Sequence, residues 1–343
     1  MSIFIAVLIF SLIILFHEFG HFLLAKKNGI TVVEFSLGMG PRLLGFDKGG
    51  TKYSLKLLPF GGSCMMLGED EGTTEPGSFA SASVWARIAV IAAGPVFNFI
   101  LAFLLSLFII GSIGYDKPVI LQVSEGYPAA EMGLQEGDLV KKINHTRIHV
   151  AREVTNYVTF HQKEDVVITV ERDGKEITVA MSPQDNGSGR YIFGIACSSN
   201  YREKCGVLDT LKYSAYEVKY WIELTIQSLK MLFTGQAGIN DMSGPVGVVS
   251  YIGETYEESQ SSGGFYVWLN MLNISILLTA NLGVMNLLPI PALDGGRLIF
   301  LILEVIRGRR IDPEKEGMVH FVGLMLLMVL MVVVMFNDVR KLF

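Results

Sequence analysis

Two histidines four residues apart, His17 and His21, stand with Glu18 inside an unbroken apolar run near the start of the chain. On a helix, positions i and i+4 share one face, so both imidazoles can reach a single divalent cation. Glu18 lies about 100° round from His17 and can reach a water on that cation. The chemistry this favours is hydrolysis: the cation brings the pKa of its water towards about 7, and the carboxylate takes the proton. Three ionisable side chains inside an apolar span are costly unless they are paired or bind metal, so a purely structural role for the trio is disfavoured.

A hydrolytic zinc usually keeps three protein ligands and one open position, so a third ligand is needed from elsewhere. His145, His149 and His161 fall in a hydrophilic stretch, and His320 begins a later apolar run. Asp294 is the better candidate, in the stretch Asn286-Leu287-Leu288-Pro289-Ile290-Pro291-Ala292-Leu293-Asp294-Gly295-Gly296. Its two prolines remove backbone donors and its glycines relax the chain, which predicts a broken helix able to aim Asp294 sideways. The alternative is that Asp294 caps the helix that follows it. Two histidines and a carboxylate also suit divalent ions other than zinc.

The elements that must position these groups are membrane spans. Of 343 residues half are hydrophobic and 18% charged, with a mean hydropathy of +0.43, too apolar for an ordinary soluble protein. A net charge of -5 without a concentrated basic patch argues against a nucleic-acid partner. Four apolar segments, about 3–25, 86–113, 267–293 and 318–336, each approach the ~20 residues that a spanning helix needs. The first has neither a basic n-region nor a small-residue cleavage site, so it reads as a retained helix rather than a secretory leader.

Short cytoplasmic loops collect Lys and Arg. The loop after the first span carries Lys26, Lys27, Arg42, Lys48, Lys52 and Lys56, and the one before the last span carries Arg297, Arg307, Arg309, Arg310 and Lys315. Both loops are therefore expected in the cytoplasm and both termini outside, with Arg340 and Lys341 the only dissent. The first and third spans then run the same way, which puts His17, His21 and Asp294 at similar depth near the cytoplasmic side.

Residues 114–184 read as an extracytoplasmic α+β domain. Val119 to Val123 alternates as a strand, Pro128 to Leu134 reads as a short helix, and Gly137 to Asn144 as a turn entering a strand. Val166 to Glu171 and Lys175 to Met181 read as a hairpin joined through Asp173-Gly174. This order, with Pro128-Ala129-Ala130, Gly133-Leu134, Gly137-Asp138 and Ile143-Asn144, resembles a PDZ domain; His145 replaces the glycine usual after Ile-Asn. Residues 185–264 are expected to be a linker containing an amphipathic helix over 207–233. Cys197 and Cys205 lie within it and can pair only in an oxidising compartment. Between the first two spans, the glycine-rich stretch 32–67 predicts two or more membrane-associated β-hairpins lining a cavity or lying in the interface. No internal repeat is evident, and acidic and histidine residues are not spread along several spans as a transporter's relay would require.

Taken together, the His17-Glu18-Phe19-Gly20-His21 motif in the first span, the Asn286-to-Gly295 stretch in the third and the PDZ-like insert resemble the site-2 protease family in its RseP-type branch. That resemblance covers nearly the whole chain. It implies a bacterial membrane-embedded enzyme of regulated intramembrane proteolysis, with Zn²⁺ on His17, His21 and Asp294 and with Glu18 and Asn286 catalytic. It also implies, as substrate, a single-span membrane protein already trimmed by another protease, such as an anti-sigma factor or a signal-peptide remnant. Gly94-Pro95-Val96-Phe97-Asn98 resembles the family's packing motif in the second span. A helical substrate must unwind to present a carbonyl, and the strand Tyr53-Ser54-Leu55-Lys56-Leu57-Leu58 is the expected edge to which it adds. The rival reading, a membrane adaptor with a structural metal, leaves Glu18 without a purpose.

Overall fold

A computed structural model describes residues 2–69, 75–187, 189–197 and 201–342. Among the described residues four helices are long and apolar enough to cross a membrane: Ile3–Lys27, Val84–Ile113, Gly264–Leu287 and Pro313–Lys341. They belong to α1 (Ser2–Lys27), α2 (Val84–Ile113), α7 (Gly264–Leu287) and α9 (Pro313–Leu342). The third is shorter than the apolar run 267–293. Leu288 is extended because it precedes a proline, and Pro289 and Pro291 withhold donors, so the helix stops and a link over 288–293 follows. The chain divides into two compact units, residues 1–105 with 229–343, and residues 106–228.

In the first unit, the glycine-rich region between α1 and α2 forms two long strands, β1 (Val32–Lys48) and β2 (Thr51–Met66), rather than several separate hairpins. Each strand bends, and their register builds one four-segment sheet. Phe35 faces both Cys64 and Tyr53, and Tyr53 faces both Phe35 and Phe46. The segments therefore lie in the order 62–66, 32–37, 51–55, 42–48. This corrects the expectation that Tyr53 to Leu58 forms an edge. Tyr53, Ser54 and Leu55 are paired on both sides, and Lys56 and Leu58 face Arg42 and Met39. Among the described residues the edges without a further strand are 42–48 and 62–66. Gly38 lets the first bend form: its φ is +87°, and a Cβ there would come within 2.4 Å of Leu58 O.

Two further helices complete this unit, the second of them the helix that the capping alternative for Asp294 implies. Part of the expected linker is α6 (Pro245–Gln260), and the basic loop before α9 contains α8 (Asp294–Arg307), ended by Gly308 in the left-handed conformation. Arg87 of α2 holds Glu304 of α8 with two hydrogen bonds, at 3.1 and 2.5 Å. Asp338 of α9 accepts hydrogen bonds from Gly244 N at 3.1 Å and Gly247 N at 2.8 Å, neutralising the exposed donors at the α6 start.

The second unit is built on an antiparallel sheet in the order β6-β5-β7-β8: Thr146–Arg147, Leu139–Ile143, Val166–Arg172 and Lys175–Met181. Helices α3 (Pro128–Glu131) and α4 (Ala151–Phe160) complete it, and Ile120, Val140, Ile143, Ile168, Val170 and Phe193 belong to its core. The Asp173-Gly174 hairpin has both residues at positive φ, as that turn requires. The domain does not stop at 184. Alongside β3 (Tyr115–Asp116) and β4 (Ile120–Val123) run β12 (Arg202–Glu203) and β11 (Ile195–Cys197), and β9 (Gln184–Asp185) pairs with β10 (Tyr191–Ile192). Returning strands were hidden because each is only two or three residues long. Cys197 and Cys205 are both free thiols. Helix α5 (Val207–Phe233) lies where the periodicity put it.

A charged cluster joins α5 to this domain. Arg152 of α4 meets Glu217 of α5 at 2.6 Å and Asp116 at 3.7 Å. Burial, followed by the Glu217 charge, pushes the Asp116 carboxyl up from 3.8 to about 6. Between those values the folded chain keeps a proton that the unfolded chain has shed, so stability falls as pH rises through that window. Asp116→Asn is expected to flatten this slope and to add about 1–3 kcal/mol above pH ~6, measured by urea unfolding across pH. An unchanged profile would place the titration elsewhere.

Candidate metal centre

Histidines 17 and 21 point from one face of α1 as the four-residue spacing requires, and both are buried. The link after α7 brings Asp294, the first residue of α8, against them. Its Oδ2 is 3.1 Å from His17 Nε2 and 3.5 Å from His21 Nε2, and the two Nε2 atoms are 3.2 Å apart. Tetrahedral zinc with bonds of about 2.0–2.1 Å needs ligand atoms separated by about 3.3–3.4 Å. The three atoms thus already form one face of such a tetrahedron. Asp294 Oδ2 is buried with no hydrogen-bond partner, an arrangement that a cation would relieve. The residues present fit zinc.

Each imidazole is oriented from behind. His21 Nδ1 donates to Val90 O at 2.8 Å, which leaves Nε2 with its lone pair free for metal. His17 Nδ1 lies 3.1 Å from the Asn98 amide, whose other end, Oδ1, is a buried orphan. Turning that amide over would put Oδ1 on the imidazole N–H, giving His17 the same tautomer as His21. Thr279 Oγ1 donates to Asn98 O and anchors this part of α2 to α7. Pro95 lies inside α2 and removes the donor for Ile91 O; the adjacent Val90 carbonyl is the one that His21 takes.

Glycines give the helices room to meet. A Cβ on Gly94 would lie 2.4 Å from His21 Nε2 and 2.7 Å from His17 Cε1, so the imidazoles occupy the space a side chain would need. Gly20, inside the histidine motif, would meet Ala93 O at 2.4 Å. Gly295 and Gly296 do the same for the aspartate: their Cβ atoms would lie 2.1 Å from Leu288 O and 2.5 Å from Ile290 O. Close approach of the α8 start to the preceding link is therefore what the glycine pair provides, beyond relaxing the chain.

The centre opens into a cavity of about 270 Å³ lined by Glu18, Gly62, Ser63, Cys64, Met66 and Arg297 besides the three ligand candidates. Glu18 is half-buried there, and a Cβ on Gly62 would touch its Cγ at 3.2 Å. Arg297, one turn after Asp294, pairs with Glu69 in the same wall. Asn286 is half-buried near the α7 end and is not among the residues lining this cavity. Nor are Tyr53 to Leu58. Asn98 and Val90 were not singled out as supports for the imidazoles; the Gly94-to-Asn98 stretch had been noted only for packing.

Known proteins share this arrangement of sequence. The model of peptidase family M50 matches residues 5–330. The zinc metalloprotease RasP of Geobacillus kaustophilus is 33% identical over 424 aligned residues, covering 100% of this chain and 98% of that one. The regulator of sigma-W protease RasP of Bacillus subtilis is 31% identical over 421, covering 98% of each. A relative in Clostridium acetobutylicum reaches 36% over 339 residues, covering 98% of this chain and 97% of its own. Among solved structures, the PDZ domain of an SdrC-like protein from Listeria monocytogenes aligns with 24% of this chain and 87% of its own, at 24% identity and a TM-score of 0.21.

Proposed function

The chain belongs to peptidase family M50, the site-2 proteases, and is a zinc metallopeptidase, and from that premise we propose that it cuts membrane-spanning segments of pre-trimmed proteins at the His17–His21–Asp294 centre. The observation that carries this reading is the convergence of two imidazole nitrogens and an orphaned carboxylate oxygen between apolar helices, with Glu18 in the same cavity wall. Zinc, when bound, supplies the Lewis acidity that activates water and polarises a carbonyl. Glu18 takes the proton of the attacking water and delivers it to the leaving amide nitrogen. Val90 O and Asn98 keep the histidine rings in the tautomer that this requires. Asn286, outside the cavity wall, contributes from the substrate side; Asn286→Ala is expected to lower cleavage far less than any change at Glu18. Purified chain reconstituted with a single-span test substrate, assayed with and without a zinc chelator, tests the reading.

The unwound substrate adds to the sheet, in this reading, at Gly62 to Met66 rather than at Tyr53 to Leu58. No strand pairs with the far side of 62–66 among the described residues, and Gly62, Ser63, Cys64 and Met66 line the metal cavity. Backbone bonds along this edge would hold an extended chain beside Glu18. Successive N–H groups of a strand point to opposite sides, so prolines at Ser63 and at Cys64 remove one bond to β1 and one towards the cavity, respectively or in the reverse order. One of the two is expected to lose about tenfold in kcat/KM with zinc content unchanged, the worth of roughly one hydrogen bond. Full activity in both would rule the edge out.

Orientation follows from charge: the basic stretches after α1 and around α8 belong in the cytoplasm, and the 106–228 unit outside. Within that unit, α4 and strands β10 and β11 enclose a groove of about 570 Å³ lined by Val154, Val158, Phe193, Ile195 and Arg190. An apolar groove with a cation suits a trimmed peptide end, which makes the unit a filter for substrates already shortened. Deleting 115–203 is then expected to allow cleavage of untrimmed substrate.

A further inference from the structure

Ala292, two residues before Asp294, has a φ of +77°, in the left-handed region that an alanine avoids. A strained residue persists only where its neighbours hold it. Here the hold comes from one face of α9. Ala292 N donates to His320 Nδ1 at 2.8 Å. One helical turn on, Gly323 leaves room for Pro291: a Cβ there would lie 2.5 Å from Pro291 Cβ and 2.7 Å from its carbonyl oxygen.

The His320 ring is itself fixed. It packs on Phe300 of α8, with centroids 5.6 Å apart, and its Nε2 lies 3.9 Å from Glu316 Oε1 one turn back along α9. Because Nδ1 accepts from the Ala292 amide, the ring proton belongs on Nε2, the nitrogen that faces the Glu316 carboxylate. Phe300 and Asp294 are both on α8, so the imidazole touches the metal-bearing helix through Phe300 and its preceding link through Ala292. His320 is not part of the candidate ligand set; among the described residues that set is His17, His21 and Asp294.

We propose that His320 is a positioning residue for the metal centre, its Nδ1 holding the Ala292 amide so that the left-handed link delivers Asp294 to His17 and His21. The proposal rests on the reading of Asp294 as a zinc ligand. It makes the last span, through one hydrogen bond, part of the support that pre-organises the carboxylate. Supports of this kind typically change metal affinity by about 10–100-fold when removed.

The test is zinc affinity by chelator competition on the full chain in detergent, with cleavage measured alongside. His320→Phe keeps a ring against Phe300 but has no acceptor, and it is expected to weaken zinc binding by about 10-fold or more. In His320→Asn, Oδ1 takes the place of Nδ1, and affinity is expected to return close to that of the parent chain. Ala292→Gly removes the cost of the left-handed backbone, so it is expected to restore much of the loss when combined with His320→Phe. Equal loss in the Phe and Asn variants, or no rescue by Ala292→Gly, would reduce His320 to a space-filler and overturn the proposal. Asp294→Ala separates the two layers: if it leaves zinc affinity intact, the ligand reading fails; if it weakens zinc while His320→Phe does not, only the positioning role fails.

Discussion

Glu18→Gln is expected to keep its zinc and lose cleavage by about 10²–10⁴-fold, the usual worth of a general base. Glutamine has the same length and can still fill the space beside Gly62, but it cannot accept a proton from water. The three ligand candidates are untouched, so metal content by elemental analysis should match that of the parent chain. The combination is what distinguishes an enzyme from a membrane adaptor with a structural metal, in which Glu18→Gln would be silent. A variant that loses zinc together with activity would mean that Glu18 supports the ligands instead of acting on water. Equal activity in the two proteins would remove Glu18 from the mechanism altogether.

Gly94→Ala is expected to be nearly as damaging, by a different route. Its added methyl would overlap His21 Nε2 at 2.4 Å and His17 Cε1 at 2.7 Å, so either the rings rotate away or α1 and α2 separate. Rotation breaks the His21 bond to Val90 O, and separation breaks the Gly20 contact with Ala93. Both outcomes spoil a face whose ligand atoms lie within 3.5 Å of one another. A loss of about 100-fold in zinc affinity follows, the upper range for a disturbed ligand support. Far-ultraviolet circular dichroism should stay unchanged, since alanine suits a helix better than glycine does. Full zinc occupancy at low free metal in Gly94→Ala would show that the helices can part without cost to the centre.

The sheet between α1 and α2 shows where pattern reading loses its footing. Alternation and glycine turns made 32–67 legible as β-structure, but which segment lies at an edge depends on pairing between residues up to about thirty positions apart. Tyr53 to Leu58 has the stronger strand composition, and its first half is interior: Tyr53, Ser54 and Leu55 are paired on both sides, Lys56 and Leu58 on one. Gly62 to Met66, less strand-like by residue type, is left with the open side. The same limit hid β9 to β12, which are too short to carry a period: β11 and β12 exist because β4 and β3 offer them partners, and β9 and β10 because they pair with each other. The extent of helix α8 was not read from the apolar run feeding into it, and only the break at Pro289 and Pro291 separates the two.

What the chain's sequence determined alone is the chemistry and its inventory: two imidazoles one helical turn apart with a carboxylate beside the first, a proline-broken stretch after the third span that leads to Asp294, and four apolar runs of spanning length. These are local properties, fixed by helical period, by proline's missing donor and by side-chain type. Tertiary structure alone decided that Asp294 meets the histidines, that Val90 and Asn98 back their rings, that Gly94 leaves them room, and that His320 accepts a hydrogen bond from the link before the aspartate. Each of those depends on distances between elements far apart in sequence, and such distances arise only when the helices pack.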